Sequence, residues 1–325
     1  KVDLYEKKTL LSETSSKTTK LIHGGIRYLE NLQFHEVKNG INDRKWWLEN
    51  FPDETKLQEI IILSKKKLSP EIFKFFFGIK VYETFAGRSN IKTGRLYKQD
   101  DLLSLGIKNN ISAGISFYDG LMQESVGQEI IKRCKSNGVN FFENNEIKSI
   151  RSEGRIEEKQ YKKIIIATGP WVSSFLKQNK IDTNKTIDYI KGSHLIINRK
   201  IKKGLMFRDQ KKHRYIFALP YQGNLLLGTT EQRVRSPEDN HVLDSEVNYL
   251  LESINIYIDR PINKDEIIKS YSGVRPLIKS KAQDFHSSSR DFYIQKDHNL
   301  LSLFGGKWTT APSIARNIVR IVNNE

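Results

Sequence analysis

One cysteine, Cys134, stands in 325 residues. An internal disulfide framework and a cysteine-ligated metal cluster are therefore excluded within the chain, and a reducing compartment fits. No apolar run reaches the roughly 18 residues of a membrane-spanning helix, and no signal peptide is visible. H-E-x-x-H, the P-loop and the nucleophile elbow are all missing. His35, His194, His213, His241, His286 and His298 show no metal-ligand spacing, so no metal site is expected. Acidic residues are in deficit, 38 against 54 Lys and Arg, for a net charge of +16. Such an excess suits nucleic acid, an anionic membrane or an acidic small substrate. Its clusters, such as Lys65-Lys66-Lys67 and Lys202-Lys203, are scattered and carry no nucleic-acid motif, so no nucleic-acid partner is expected.

The polar chemistry that is present concentrates in 15–30, SSKTTKLIHGGIRYLE. Small hydroxyls there (Ser15, Ser16, Thr18, Thr19) suit a backbone approached by a large polar ligand. Lys20, His23, Gly24-Gly25 and Arg27-Tyr28 follow, and a helix starting near Gly25 would turn its positive end toward an anion.

Ahead of this loop, VDLYE (2–6) alternates and ends on an acid, the pattern of a short parallel strand that delivers a carboxylate to its C-terminal edge. A G-x-G-x-x-G fingerprint is expected about 20 residues upstream of such an acid. None occurs in the chain, so the first strand, glycine loop and helix are expected to lie outside this sequence. Further on, 31–50 reads as a helix interrupted by Gly40, 57–63 as a strand, and 65–80 as an amphipathic helix that either rests on an anionic membrane surface or packs in the core. Polar residues 88–112 read as connecting loops and FYDG (117–120) as a turn; 125–134 reads as a helix and 139–142 as a strand. Ile164-Ile165-Ile166 reads as a buried parallel strand, ending in the small residues Ala167, Thr168 and Gly169. From 191 to 271 the pattern turns to alternating strands with one helix over 245–258, before strands return and Gly305-Gly306-Lys307 lead into a helix over 310–322.

The segment 15–30 closely resembles the signature of FAD-dependent (aerobic-type) glycerol-3-phosphate dehydrogenases. Further matches follow in the family's order: FYDG, ATGPWV at 167–172, KGSH at 191–194, GTT at 228–230, YSGVRPL at 271–277, SRD at 289–291 and FGGKWTT at 304–310. The resemblance implies an α/β fold with a Rossmann-like FAD-binding domain, incomplete at its N-terminus, and an inserted mixed, antiparallel-rich sheet that binds substrate. The expected division is 1–45, 113–190 and 272–325 for FAD, and 46–112 with 191–271 for substrate. Many relatives continue into a C-terminal helical domain that is not seen here.

The implied reaction is hydride transfer from glycerol 3-phosphate to FAD, giving dihydroxyacetone phosphate. Electrons would pass to a quinone or, in oxidase relatives, to oxygen. The catalytic candidates implied are His23, Arg27, Tyr28, Arg275, Arg290 and Lys307. Arginine suits phosphate oxygens by permanent charge and bidentate geometry. His23 is either the proton acceptor or a fixed hydrogen-bond donor, and Lys307 serves either substrate oxygens or the reduced flavin. The cofactor candidates are Glu6 on the adenosine ribose, Thr14, Ser15, Ser16, Lys20, Leu21, Ala167, Thr168, Gly169, Gly305, Gly306, Lys307 and Thr309. A cytoplasmic protein, peripheral on the inner face of the membrane, is the expected setting, with a homodimer open. Two alternatives stay open: a related FAD oxidase of an amino or hydroxy acid, and a non-catalytic remnant of the fold.

Overall fold

The computed structural model describes residues 1–25, 34–65, 75–80, 84, 93–209, 214–279 and 292–324. Its centre is a ten-stranded mixed sheet in the order Gln232–Val234, Ile187–Ile197, Asn224–Gly228, Tyr215–Tyr221, Gly204–Arg208, Thr55–Ser64, Ala113–Met122, Leu21–Ile22. Ile267–Ile278 pairs with Ile187–Ile197, and Leu96–Lys98 with Ala113–Met122. Gly204–Arg208 lies parallel to Thr55–Ser64, whereas the other described pairings in this sheet are antiparallel.

Thr55–Ser64 shows why the run IIIL appears in the sequence. Successive side chains of a strand point to opposite faces, and here both faces are covered. Ile61 and Leu63 pack with Leu250, Leu251 and Ile254 of helix Asp244–Asn255. Ile60 and Ile62 share a cluster with Val37 and Ile41 of helix Phe34–Asn50. The same double coverage accounts for FYDG, which lies inside strand Ala113–Met122 and not in a turn. Nine of its ten positions are buried, so the segment lacks the alternation that marks a half-exposed strand.

A second assembly carries parallel pairings. Ile164–Ile166 runs parallel to Leu300–Gly305, which pairs antiparallel with Phe292–Asp297. Val2–Tyr5 runs parallel to Val139–Phe142 as the reading of 2–6 required. Around Ile164–Ile166 pack Val172, Leu176, Leu300 and Phe304. Ile165, expected to be buried, is 46% exposed, because the partners that cover the strand lie on the face of Ile164 and Ile166. The polar stretch read as loops over 88–112 holds strand Leu96–Lys98 and helix Gln99–Leu103 in its described part. Both elements are anchored by single apolar residues, Tyr97 and Leu102, too few to form a periodic signal.

Strand Ile267–Ile278 pairs with Ile187–Ile197 along its length. The expected divisions between 190 and 191 and between 271 and 272 run across this ladder. Ala113–Met122, grouped above with the cofactor-binding segments, hydrogen-bonds to Thr55–Ser64.

Candidate active site

Three distant stretches meet along strand Ile267–Ile278. The first is the loop over 14–20. Its 3₁₀ turn Thr14–Ser16 lies against the strand, with Thr14 Oγ1 donating to the Val274 carbonyl at 3.2 Å. The Tyr271 hydroxyl donates to the Thr18 carbonyl at 2.8 Å. Contact is this close because position 273 is glycine: a β-carbon there would lie 2.7 Å from Lys17 Cβ. The second stretch follows Leu300–Gly305. Gly305 and Gly306 both take left-handed conformations (φ 72° and 85°), which few other residues adopt without strain. Beyond them, Trp308 Nε1 donates to the Ser15 carbonyl at 2.6 Å. The third is Gly169–Trp171, which also rests on the strand.

Lys20 and His194 close the loop's far side. Lys20 is buried at φ 61°, and its Nζ donates to the Ser16 carbonyl at 2.8 Å. Burial holds its pKa below the ordinary lysine value. His194 Nε2 meets Thr19 Oγ1 at 2.9 Å, and its ring stacks on Tyr271. Burial, then the positive fields of Arg275, Lys20 and Arg214, pull the His194 pKa down to about 3, so it is neutral at physiological pH. Gly228 makes room for that ring, since a β-carbon there would lie 2.3 Å from His194 Cδ2.

Arg275 lies on the same strand, past Val274. Its Nη2 donates to the Thr230 carbonyl at 3.0 Å, and its Nη1 stands 3.5 Å from Glu231 Oε1. The side chain remains 33% exposed. Beneath it lies a buried polar layer: Thr230 Oγ1 donates to Glu246 Oε1 at 2.6 Å and accepts from the Ser193 amide at 2.8 Å. Lys191 Nζ pairs with Glu246 Oε2 at 2.8 Å and donates to the His241 carbonyl at 2.8 Å. Burial acts to raise the Glu246 pKa, but hydrogen bonds from Lys191, Thr230 and the Leu243 amide outweigh it and leave the carboxyl below its usual range.

The remaining candidates sit as follows. His23 is half-buried just after strand Leu21–Ile22, whose Leu21 pairs with Leu121. The next amide, that of Gly24, donates to Asp119 Oδ1 at 3.0 Å, and the same oxygen accepts from Arg44 Nη1 at 2.9 Å. Gly40, read as an interruption of its helix, is a contact point. A β-carbon there would lie 2.9 Å from the Gly24 carbonyl oxygen. Lys307 is half-buried and Thr309 buried, its carbonyl accepting from Trp47 Nε1 at 3.2 Å. Ser16 Oγ donates to the Glu13 carbonyl. Ala167 and Thr168 are exposed at the end of Ile164–Ile166, and Gly169 has φ 56°. Glu6 follows Val2–Tyr5, its carboxylate accepting from the Lys8 amide at 2.9 Å. Arg27, Tyr28 and Arg290 lie outside the described residues, as does most of 65–80.

These turns fit a flavin dinucleotide. Ala167–Gly169 and Gly305–Gly306 follow the C-terminal ends of parallel neighbours, the edge at which open α/β sheets receive ligands. The two glycines' consecutive left-handed backbone brings peptide edges close to whatever lies there. The groove lined by Arg151, Lys180 and Gln295 lies at the opposite end of these strands and plays no part in this site.

Glu231, Arg214, Lys191, Glu246, Arg44 and Asp119 were not singled out by the sequence. Glu231 is one residue past GTT, Lys191 heads KGSH and Asp119 stands inside FYDG, so proximity to motifs is the signal that could have found these three.

The model of the FAD dependent oxidoreductase family matches residues 1–321. A glycerol-3-phosphate dehydrogenase of Pseudomonas tolaasii is 28% identical over 97% of this chain, which spans 65% of that relative's length. An L-alpha-glycerophosphate oxidase of Mycoplasma pneumoniae with FAD bound superimposes with TM-score 0.76 at 20% identity, covering 99% of this chain and 88% of that one. Glycine oxidase of Geobacillus kaustophilus gives 0.73 at 15% identity, covering 100% and 88%. The two structural likenesses establish the fold, and their different substrates mean the fold alone does not select one.

Proposed function

The chain belongs to the FAD dependent oxidoreductase family, and from that premise we propose that it oxidises sn-glycerol 3-phosphate to dihydroxyacetone phosphate, with electrons passing on to a quinone. Its cofactor is FAD. The observation that carries the substrate reading is Arg275, a guanidinium fixed by the Thr230 carbonyl with part of its side chain open, beside the loop over 14–20.

When bound, FAD would supply the acceptor for the hydride that leaves the carbinol carbon. In this reading, Glu6, Thr14, Ser15, Ser16, Lys20, Leu21, Ala167, Thr168, Gly169, Gly305, Gly306, Lys307 and Thr309 hold it. Arg275, with Arg27 and Arg290, anchors the phosphate, and Tyr28 lines the site. The arginines contribute a permanent charge and orient the far end of the substrate, so the reacting hydroxyl is presented in one pose. His23 takes the hydroxyl proton as the alcohol becomes a carbonyl. Lys307 donates to the oxygen on which negative charge collects. The segments 1–45, 113–190 and 272–325 form the FAD-binding domain, which also carries these substrate-facing residues, and 46–112 with 191–271 form the substrate-binding domain, the ladder between Ile187–Ile197 and Ile267–Ile278 running across both.

Access to a quinone favours a peripheral position on the inner face of the cytoplasmic membrane, with or without a homodimer. Supporting this, Phe77 is 71% exposed beside exposed Phe76 and Lys80, a pairing of apolar and basic side chains suited to an anionic lipid surface. Among the described residues no helix is long and apolar enough to cross a membrane.

Anaerobic mixing of the full-length, FAD-loaded protein with candidate substrates tests the reading through loss of flavin absorbance. Glycerol 3-phosphate should bleach the flavin, and glycerol only at a small fraction of that rate. Faster bleaching by glycine or a 2-hydroxy acid would favour the related amino- or hydroxy-acid oxidase, and no bleaching by any of them the non-catalytic remnant.

A further inference from the structure

Glu231 sits between two arginines of unequal exposure. One carboxylate oxygen stands 3.5 Å from Arg275 Nη1, the other 3.7 Å from Arg214 Nη1. Arg214's side chain is 7% exposed, Glu231's 12% and Arg275's 33%. Of these two arginines, one is sealed in the protein and one lies at the edge of the site. We propose that Glu231 is a built-in counter-anion of the substrate site, occupying Arg275 until an incoming anion takes its place, with Arg214 remaining beside the displaced carboxylate. This rests on the reading of Arg275 as the ligand of the substrate's anionic end.

The geometry suits exchange. Charge-assisted hydrogen bonds that hold groups firmly are about 2.7–2.9 Å long, and the separations of Glu231 from Arg275 and from Arg214 are both longer. Arg275 keeps a second, shorter attachment to the Thr230 carbonyl at 3.0 Å, so losing the carboxylate does not release it. Thr230 is itself tied to Glu246 and Ser193. Glu231 thus hangs from an anchored backbone and has only its side chain to move.

Charge sets what can displace it. Arg214, Glu231 and Arg275 together carry one net positive charge, Lys20 lies close enough for its field to reach His194, and His194 is neutral in this setting. An anion bound at Arg275 must outcompete a carboxylate that is already in place and needs no ordering. A phosphate dianion does so by charge, whereas a single carboxylate offers no more than Glu231 itself. Discrimination between them then comes from a resident competitor as well as from the attractive contact.

Isothermal titration of the full-length, FAD-loaded protein with inorganic phosphate tests this in four forms: wild type, Glu231→Gln, Arg275→Gln and the double variant. Removing the competitor should tighten phosphate binding on the order of tenfold when Arg275 is present. In the Arg275→Gln background the same change should do nothing, and binding too weak to detect in both Arg275→Gln forms agrees with this. Unchanged or weaker binding by Glu231→Gln overturns the proposal. So does an equal gain in both backgrounds, which would mark a long-range field and not a displaced partner. Glu231→Asp, which keeps the charge but shortens its reach, should give a smaller gain, and it replaces the Gln form if that does not fold. The substrate reading fails separately: Arg275→Gln would then leave KM for glycerol 3-phosphate unchanged, whatever the phosphate titrations give.

Discussion

The guanidinium of Arg275 fills the space that a side chain at Gly192 would take. A β-carbon at 192 would lie 2.3 Å from Arg275 Nη2 and 2.4 Å from Thr229 Oγ1. Gly192 sits opposite Gly273 in the ladder, so adjacent strands lose their side chains at one level. Against Gly192 sits the Arg275 guanidinium; against Gly273 sit Lys17 Cβ and its carbonyl oxygen.

Gly192→Ala should therefore reproduce a partial loss of Arg275 without touching it. The methyl displaces the guanidinium, and a shift of about 1 Å in a positioning group costs on the order of a hundredfold in turnover. We expect kcat/KM for glycerol 3-phosphate to fall by roughly that factor, with KM rising and circular dichroism preserved. Steady-state kinetics within twofold of wild type would mean that Arg275 can relocate without consequence, and the proposed anchoring would be wrong.

The pair Lys191–Glu246 supports the floor under Arg275, and its side chains are 2% and 8% exposed. Breaking a buried pair strands the surviving charge at a cost of about 3–5 kcal/mol, whereas replacing both members with apolar residues is often close to neutral. Lys191→Met should lower unfolding stability by that amount. Lys191→Met with Glu246→Leu should lose less than the single change, the deficit left being that of Thr230 Oγ1 and the Leu243 amide without their acceptor. Urea denaturation reads both, and a double variant less stable than Lys191→Met alone would show the two groups are not coupled.

His194 gives the protein a specific acid sensitivity. Its folded pKa, about 3, lies below the ordinary histidine value of 6.5. Above 6.5 neither state binds the proton and the His194 contribution is intact. As pH falls below 6.5 the unfolded chain takes up a proton that the folded chain refuses, so stability declines progressively until the folded pKa is reached. Between pH 6.5 and the usual carboxylate range this decline belongs mainly to histidine. His194→Asn should flatten the dependence of Tm on pH in that window. A variant whose Tm falls with pH as steeply as wild type from 6.5 to 5 would mean that His194 takes its proton in the folded state.

The parts of the fold legible in advance were those with a periodic or punctuated pattern. VDLYE announced a short parallel strand by alternation, and it is one. The glycines of 305–306 and the start of the C-terminal helix were visible from composition, and that helix forms over Ala311–Asn323. FYDG and Gly40 were misread for one shared reason. Turn-formers and mid-helix glycines are judged from local propensity, but each sits where two backbone segments press together, Gly120 on Ile22 and Gly40 on Gly24. Close approach of distant segments leaves no mark in a local window.

The order of motifs from 15–30 to FGGKWTT determined the family, and with it the residue types available to a flavin site. Residue type is a local property and survives in a linear reading. Which charge faces which was decided by tertiary structure alone. Arg275 meets Glu231 and Thr230 across 44 and 45 positions of chain, and Lys191 meets Glu246 across 55, because antiparallel strands and a helix fold back on one another. Electrostatic partnership falls off with distance in space, not along the chain, so the burial and neighbouring positive charges that keep His194 neutral, and the carboxylate that meets Arg275, exist only once the sheet has closed.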